Sequence, residues 1–271
     1  MPITTVDALV AALKDGLPFV KTNTATTVAA QWHTLLDRNG NPGAGSLTIG
    51  NTTNGVVPTD ATAGFPAIGS FGGGEGVLHS IAFSNSVACR FKLYDRLFHA
   101  GSFPTTPAAP TTYTLTSIPD ATGRMPDGIG DGNEIWLEVN TAIAASAVTV
   151  QVGYTNSDGT TGRTTVSSGS LSGFITGRLV QLPLQAGDKG VSQITSVIVG
   201  GTAAATGSFN IILARQIYAG MRVPVAGGGD VHGFDKTGLK KIYDTSALWP
   251  IIAADSTNSG APEMLINVSS G

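Results

Sequence analysis

Apolar and polar positions alternate along most of this chain with a period of two. Cys89, Phe91 and Leu93 alternate with Arg90, Lys92 and Tyr94, and Ile135, Leu137 and Val139 with Trp136, Glu138 and Asn140. Val148, Val150, Val152 and Tyr154 form a third such run, and Phe209, Ile211 and Leu213 a fourth. A period of two sends one set of side chains to a core face and the other to the opposite face, which predicts β-strands. Leu248 to Ala253 and Met264 to Val268 read as two closing strands. Between the runs stand turn signals, Asp127-Gly128, Asp131-Gly132, residues 156–159 (Asn-Ser-Asp-Gly) and Gly200-Gly201. Many short strands joined by glycine-rich turns predict a mainly β fold with a jelly-roll or β-sandwich body.

The first forty residues follow a different period. Val6, Leu9, Val10 and Leu13 fall on one face of a helix, with Thr4 or Thr5 as its cap and Gly16 as its stop. Val28, Trp32, Leu35 and Leu36 suggest a second helix over residues 25–38, ended by Gly40 and Pro42. The expectation is therefore two short N-terminal helices. These stripes would dock either on the chain's own core or on a neighbour. A spacer rich in Gly, Thr, Asn and Pro follows over residues 39–76, and reads as an extended arm laid over a surface. The expected division is a helical segment and arm over 1–76, a β-sandwich body over 77–225, and a C-terminal extension over 226–271.

Composition narrows the function classes. Only 12% of the 271 residues are charged, against about a quarter in ordinary soluble domains, while Gly numbers 36 and Pro 14. A surface so poor in charge fits a protein packed against neighbouring subunits. The net charge of -3 provides no broad positive field, so a nucleic-acid partner is not expected. No apolar run is long enough for a membrane helix, and the first residues lack a signal-peptide layout, so a protein made in the cytoplasm is expected. The lone Cys89 allows no intrachain disulfide and no cysteine zinc site.

Candidate chemistry is sparse. Asp127, Asp131 and Glu134 gather in a glycine-rich loop that could offer oxygen ligands to Ca²⁺, although Ile129 occupies a ligand position and the pattern reads first as two Asp-Gly turns. The four histidines, His33, His79, His99 and His232, lack metal-ligand spacing, and a nucleophile elbow is absent, since Leu171 stands where a serine would be needed. A triad assembled from distant positions stays open on sequence alone. Neither run of three glycines, at 72–74 and 227–229, matches a phosphate loop. No cofactor and no catalytic residue is assigned. The densest cluster of charge and aromatic rings spans residues 94–99. Arg and aromatic side chains suit protein interfaces, so Tyr94, Arg96 and Phe98 join Val6, Leu9, Leu13, Trp32 and Leu36 as interface candidates.

Residues 93–97 (Leu-Tyr-Asp-Arg-Leu), 130–132 before 136–138, 152–156 (Val-Gly-Tyr-Thr-Asn) and 184–191 resemble segments of tailed-bacteriophage virion proteins of the minor capsid, cement or decoration type. The resemblance spans about residues 77–243 and carries turn and strand signatures without a family active site. It implies a non-enzymatic structural virion protein on the capsid surface, clamping neighbouring subunits of the major capsid protein, as a homo-oligomer (trimer or dimer). The alternative is a tail, neck or fibre component with a carbohydrate-binding β-sandwich, for which Trp136 with Asn133 and Glu138 would be the nucleus.

Overall fold

The computed structural model describes residues 5–73, 75–107, 110–116 and 121–270. In chain order they form α1 (Val6–Ala12), β1 (Leu17–Lys21), β2 (His33–Thr34), β3 (Gly40–Asn41), β4 (Glu75–Ser84), β5 (Cys89–Pro104), β6 (Thr111–Thr114) and β7 (Asn133–Thr141). There follow β8 (Val148–Asn156), β9 (Arg163–Thr164), β10 (Leu179–Leu182), β11 (Val191–Gly201), β12 (Ser208–Val223) and β13 (Gly229–His232). The last elements are α2 (Phe234–Thr237), β14 (Lys241–Tyr243), β15 (Leu248–Ala254) and β16 (Glu263–Ser270). The fold is mainly β, and its pairings are antiparallel throughout the described strands.

A central sheet in the order β10-β7-β12-β5-β15-β2 organises the molecule. Its strands β5 and β12 are 16 residues each and run the length of two lobes. Toward one end the sheet packs on β6-β11-β8-β9, with Phe103, Leu137, Val150, Val197, Phe209 and Ile211 between them. Toward the other end it packs on β13-β4-β16-β1-β3, around Phe83, Phe91, Leu93, Ile217 and Ile266. Strands from residues 17–41, 75–104 and 241–270 thus share sheets, and distant parts of the sequence interleave in space.

The alternation predicted for β5, β8 and β12 is present, but the opposite face of the central sheet is not a solvent face. Leu93, Leu137, Ile211 and Leu248 belong to the two cores just described, while their neighbours Tyr94, Trp136, Ile212 and Trp249 build a third. That third core is closed by Leu47 and Phe65 from the glycine-rich spacer and by Leu36 just before it. The spacer is extended, as expected, and the surface it covers is the chain's own sheet. We call residues 32–71 the strap. Each buried Leu or Phe of the strap stabilises its seating by about 1.5–3 kcal/mol. The sheet also curls until its two edges meet. β2 pairs with β15 on one side, and on the other Thr34 N–H donates to the Gly177 carbonyl at 2.9 Å and Leu179 N–H to that of Trp32 at 2.8 Å.

The helix over Val6–Ala12 forms where predicted, with Thr5 Oγ1 accepting the Ala8 N–H at 3.1 Å as its cap. Gly16 does not stop it through a left-handed turn. Gly16 is instead a point of close approach, where an added Cβ would lie 2.6 Å from Leu265 Cδ1.

The helix expected over residues 25–38 is replaced by extended chain. Thr26 bridges to Asn258, Thr27 N–H donates to Thr257 O, Ala30 N–H donates to Ala254 O, and His33–Thr34 pairs with β15. Ala30 takes a left-handed φ of 60°, which interrupts any helix there. Leu35 and Leu36, read as one stripe, enter different cores because neighbours in extended chain point to opposite sides. Backbone pairing with a strand more than 200 residues away outweighs the local helical pattern.

Glycine in the strap has a steric reason at Gly55. A Cβ there would fall 1.8 Å from the ring of Phe98, beside the paired backbones of Val56 and His99. We expect Gly55→Ala to destabilise the protein by about 1–3 kcal/mol through overpacking. Phe98→Leu in the same chain should recover part of that loss. Urea unfolding of the two variants checks this, and equal stability of Gly55→Ala and wild type would contradict it.

Candidate functional site

The interface candidates divide between the interior and the surface. Leu36, Tyr94, Arg96 and Phe98 are each no more than 2% exposed and belong inside the chain, so the cluster at 94–99 is a core feature and not a docking surface. Arg96 Nη2 donates to Glu138 Oε1 at 2.8 Å, with neither side chain exposed, and its Nη1 lies 2.9 Å from His99 Nδ1. Its guanidinium stacks on the rings of Trp249 and Phe65, so the strap covers it directly. Asn210 Nδ2 joins Glu138 Oε2 to the strap, donating also to the Leu47 carbonyl at 2.6 Å.

On the other side of β5, Asp95 is a second buried hub. Oδ1 accepts from Arg124 Nη1 at 3.0 Å and from the Ala247 N–H at 2.9 Å, and Oδ2 from Ser246 Oγ at 2.7 Å and Arg215 Nη2 at 3.4 Å. Burial pushes the Arg124 pKa down, while Asp95 opposes that shift. Arg124, Arg215 and Ser246 were not singled out by the sequence. For Arg215 the usable signal is a charge within the apolar run of β12; Arg124 and Ser246 lie outside the strands and carry no such signal.

The predicted metal loop forms its two Asp-Gly turns. The carboxylate of Asp127 accepts the backbone N–H groups of Ile129, Gly130 and Asp131, which hold its pKa below the usual carboxylate range against a desolvation effect that acts in the opposite direction. Asp131 accepts from Ser157 Oγ, and Glu134 Oε2 accepts from Tyr94 Oη and Trp136 Nε1. The three carboxylates serve separate partners, and no His, Cys, Asp and Glu cluster suited to a metal occurs among the described residues. Glu138 is bound to Arg96, and Trp136 is 1% exposed, so the sugar-binding nucleus expected around Trp136 is not at the surface.

The histidines do not assemble a triad. His33 Nε2 accepts the Val28 N–H, His99 is bonded to Arg96, and His232 lies between Tyr218 and Asp230. His79 packs near Phe234. A cavity of about 650 Å³ between β12 and the α2–β14 segment carries mixed charge, with Asp127, Asp131 and Asp235 facing Arg215, Lys236 and Lys240.

Of the interface candidates, the apolar residues of the N-terminal stripe remain outward. On α1, Val6 is 76% exposed and Val10 61%, and Leu13, just after the helix, is 43% exposed. The side chain of Leu9 lies outside the described residues. Trp32 is half-buried at the edge of the third core. A second surface crosses four strands in register. Val231 of β13 stands beside Ala82 of β4, Ala82 beside Leu265 of β16, and Leu265 beside Pro18 of β1. This row floors a shallow groove of about 480 Å³ rimmed by Asp230 and Glu263. No helix among the described residues is long and apolar enough to cross a membrane.

No protein-family model and no curated protein matches the chain. Among solved structures it is similar to the cyanophage Pam1 capsid asymmetric unit, at 16% identity and a TM-score of 0.26, over 48% of this chain and 86% of that one. The infectious bursal disease virus VP2 subviral particle gives 11% identity and a TM-score of 0.22, over 95% and 80%. CsCBM6-3 from Clostridium stercorarium in complex with cellobiose gives 13% and 0.18, over 62% and 96%. Overlaps this slight leave the role to rest on the chain's own residues.

Proposed function

We propose that this chain is a non-enzymatic structural protein of a tailed-phage virion that decorates the capsid by clamping neighbouring capsid subunits. The observation that carries the reading is the apolar stripe of α1, turned away from the chain's own body. A helix of seven residues is far below the length at which helices are stable alone in water. It is tied to the body just past its C-terminal end, by the Leu13–Ser269 bridge with its Lys14 N–H to Val268 O bond and by the bond from Ser270 Oγ to Ala12 O. A partner that covers Val6, Val10 and Leu13 would complete it. The row from Pro18 to Val231 adds a second apolar surface, and the low overall charge lets both be buried at little desolvation cost. The partners in this reading are the major capsid protein and other copies of this chain, in a dimer or trimer.

The reading is tested on purified particles. Quantitative mass spectrometry should find this chain at a fixed, symmetric ratio to the major capsid protein, and detection in tails alone would sink the proposal. In a reconstitution with undecorated heads, Val6→Asp with Val10→Asp should weaken binding at least about tenfold, the equivalent of 1.4 kcal/mol. Because both positions are exposed, each substitution should leave folding stability within about 0.5 kcal/mol. Unchanged head binding by the double variant would remove α1 from the interface.

A further inference from the structure

Three tryptophans and two buried histidines meet along the closure of the central sheet. Trp32, Trp136 and Trp249 all border the third core, which the strap covers. His33 lies in β2, where the sheet's edges join, bridged to Arg178 on one side and paired with Ile252 on the other. His99 lies in β5 under the strap, its backbone N–H and carbonyl both bonded to Val56 at 2.9 Å. Neither histidine is exposed at all.

Burial disfavours charge on both rings, and a donor faces one ring nitrogen of each. His33 Nε2 accepts the Val28 N–H at 3.0 Å, so its proton sits on Nδ1, which has no hydrogen-bond partner. His99 Nδ1 faces the Arg96 guanidinium at 2.9 Å, which fixes the proton on Nε2. A second proton on either ring would set a donor against a donor. The charges around His33 are cationic, with Arg178 across the bridge and Lys92 over the adjoining Trp32, while β15 contributes apolar residues. Around His99 stand Arg96 from β5 and Glu138 from β7, the latter already paired with Arg96, together with the neutral Asn210 from β12. The strap brings the Val56 backbone and the Leu47 carbonyl near this group; the Leu47 carbonyl and Asn210 favour the protonated ring, each less than burial and Arg96 disfavour it.

We propose that the strap is an acid-released cover: protonation of His33 and His99 opens the β2 closure, lifts the 32–56 part of the strap from the central sheet and removes the cover that Leu36 and Leu47 give to Tyr94, Trp136 and Trp249. The electrostatics set the window. Burial, then Arg178, lowers His33 to about 4, and burial, then Arg96, holds His99 well below its ordinary 6.5. Both folded-state values lie below the open-state value. Closure is therefore fully favoured above about pH 6.5 and weakens as pH falls from there toward 4. Two protons taken up on opening raise the open-to-closed ratio by up to about 100-fold per pH unit in that window. This inference does not depend on the virion reading.

The test uses the full chain between pH 7 and 4, following tryptophan emission and hydrogen exchange by mass spectrometry. We expect a reversible red shift and loss of protection over residues 28–56 while β8 and β11 stay protected. His33→Gln with His99→Gln should move that transition at least one pH unit lower, and His79→Gln with His232→Gln should leave it in place. A wild-type strap that stays protected until the whole chain unfolds would overturn the proposal, as would a transition unmoved in the first double variant. Should that variant not fold, histidine NMR of the wild type decides. The His33 and His99 ring resonances must titrate together with the tryptophan change, and titration without it overturns the proposal.

Discussion

Asp95→Ala should be the most damaging single substitution in this protein. Its carboxylate serves two nearly buried arginines, one serine hydroxyl and one backbone N–H, and each of these residues is no more than 7% exposed. Removing one member of a buried ionic cluster costs about 3–5 kcal/mol, because the remaining charges stay desolvated without compensation. Here two guanidiniums of like sign would be left facing each other. For a chain of this size a loss of that order lowers the melting temperature by roughly 6–20 °C. Differential scanning calorimetry of Asp95→Ala checks the outcome. Asp95→Asn, which keeps one acceptor oxygen for the Ala247 N–H and Arg124 but loses the one that serves Ser246 and Arg215, should fall between that variant and wild type. A melting temperature within a degree of wild type for Asp95→Ala would show that the hub contributes little.

Arg96→Met should cost a similar amount, about 3–5 kcal/mol, by leaving Glu138 charged and unpaired beneath the strap. The informative comparison is the cycle with Glu138→Gln. A buried ion pair is often no better than neutral residues of similar volume, so the double variant should be more stable than Arg96→Met alone. Its glutamine can still accept from Asn210, which donates to Glu138 at 3.1 Å in the wild type. Additive losses in urea titrations would mean that the two side chains do not depend on each other.

Much of the β body was legible in the sequence because alternation is a local property. The runs beginning at Cys89, Val148 and Phe209 become β5, β8 and β12 with the expected face inward. The role of the other face was not legible. Trp136 and Tyr94 occupy polar-face positions by parity, and their burial depends on Leu47 and Phe65, which precede them by tens of residues. Residues 25–38 misled for the same reason. Their partners are residues 251–258, and no window of local sequence contains both. Of the site, Asp95 and Arg96 stood out as charge inside an apolar run, yet density of charge could not say whether they faced a neighbour or their own core. Their partners Arg124, Glu138 and Arg215 are 29, 42 and 120 residues from them. By contrast, Val6, Val10 and Leu13 were readable as a stripe, and they keep it outward.

The pairing of β1 with β16 has a consequence for biosynthesis. β16 lies between β4 and β1, and four residues of β1 pair with it from Leu17↔Ile266 to Val20↔Glu263. β1 is therefore translated long before the strand it pairs with. Chain closure of that span makes folding slow, and it leaves Phe19 and its neighbours without their inner-face cover during synthesis. The sheet carrying the outward apolar row thus cannot be assembled before β16 is made, so a chain still lacking β16 cannot present that row in register.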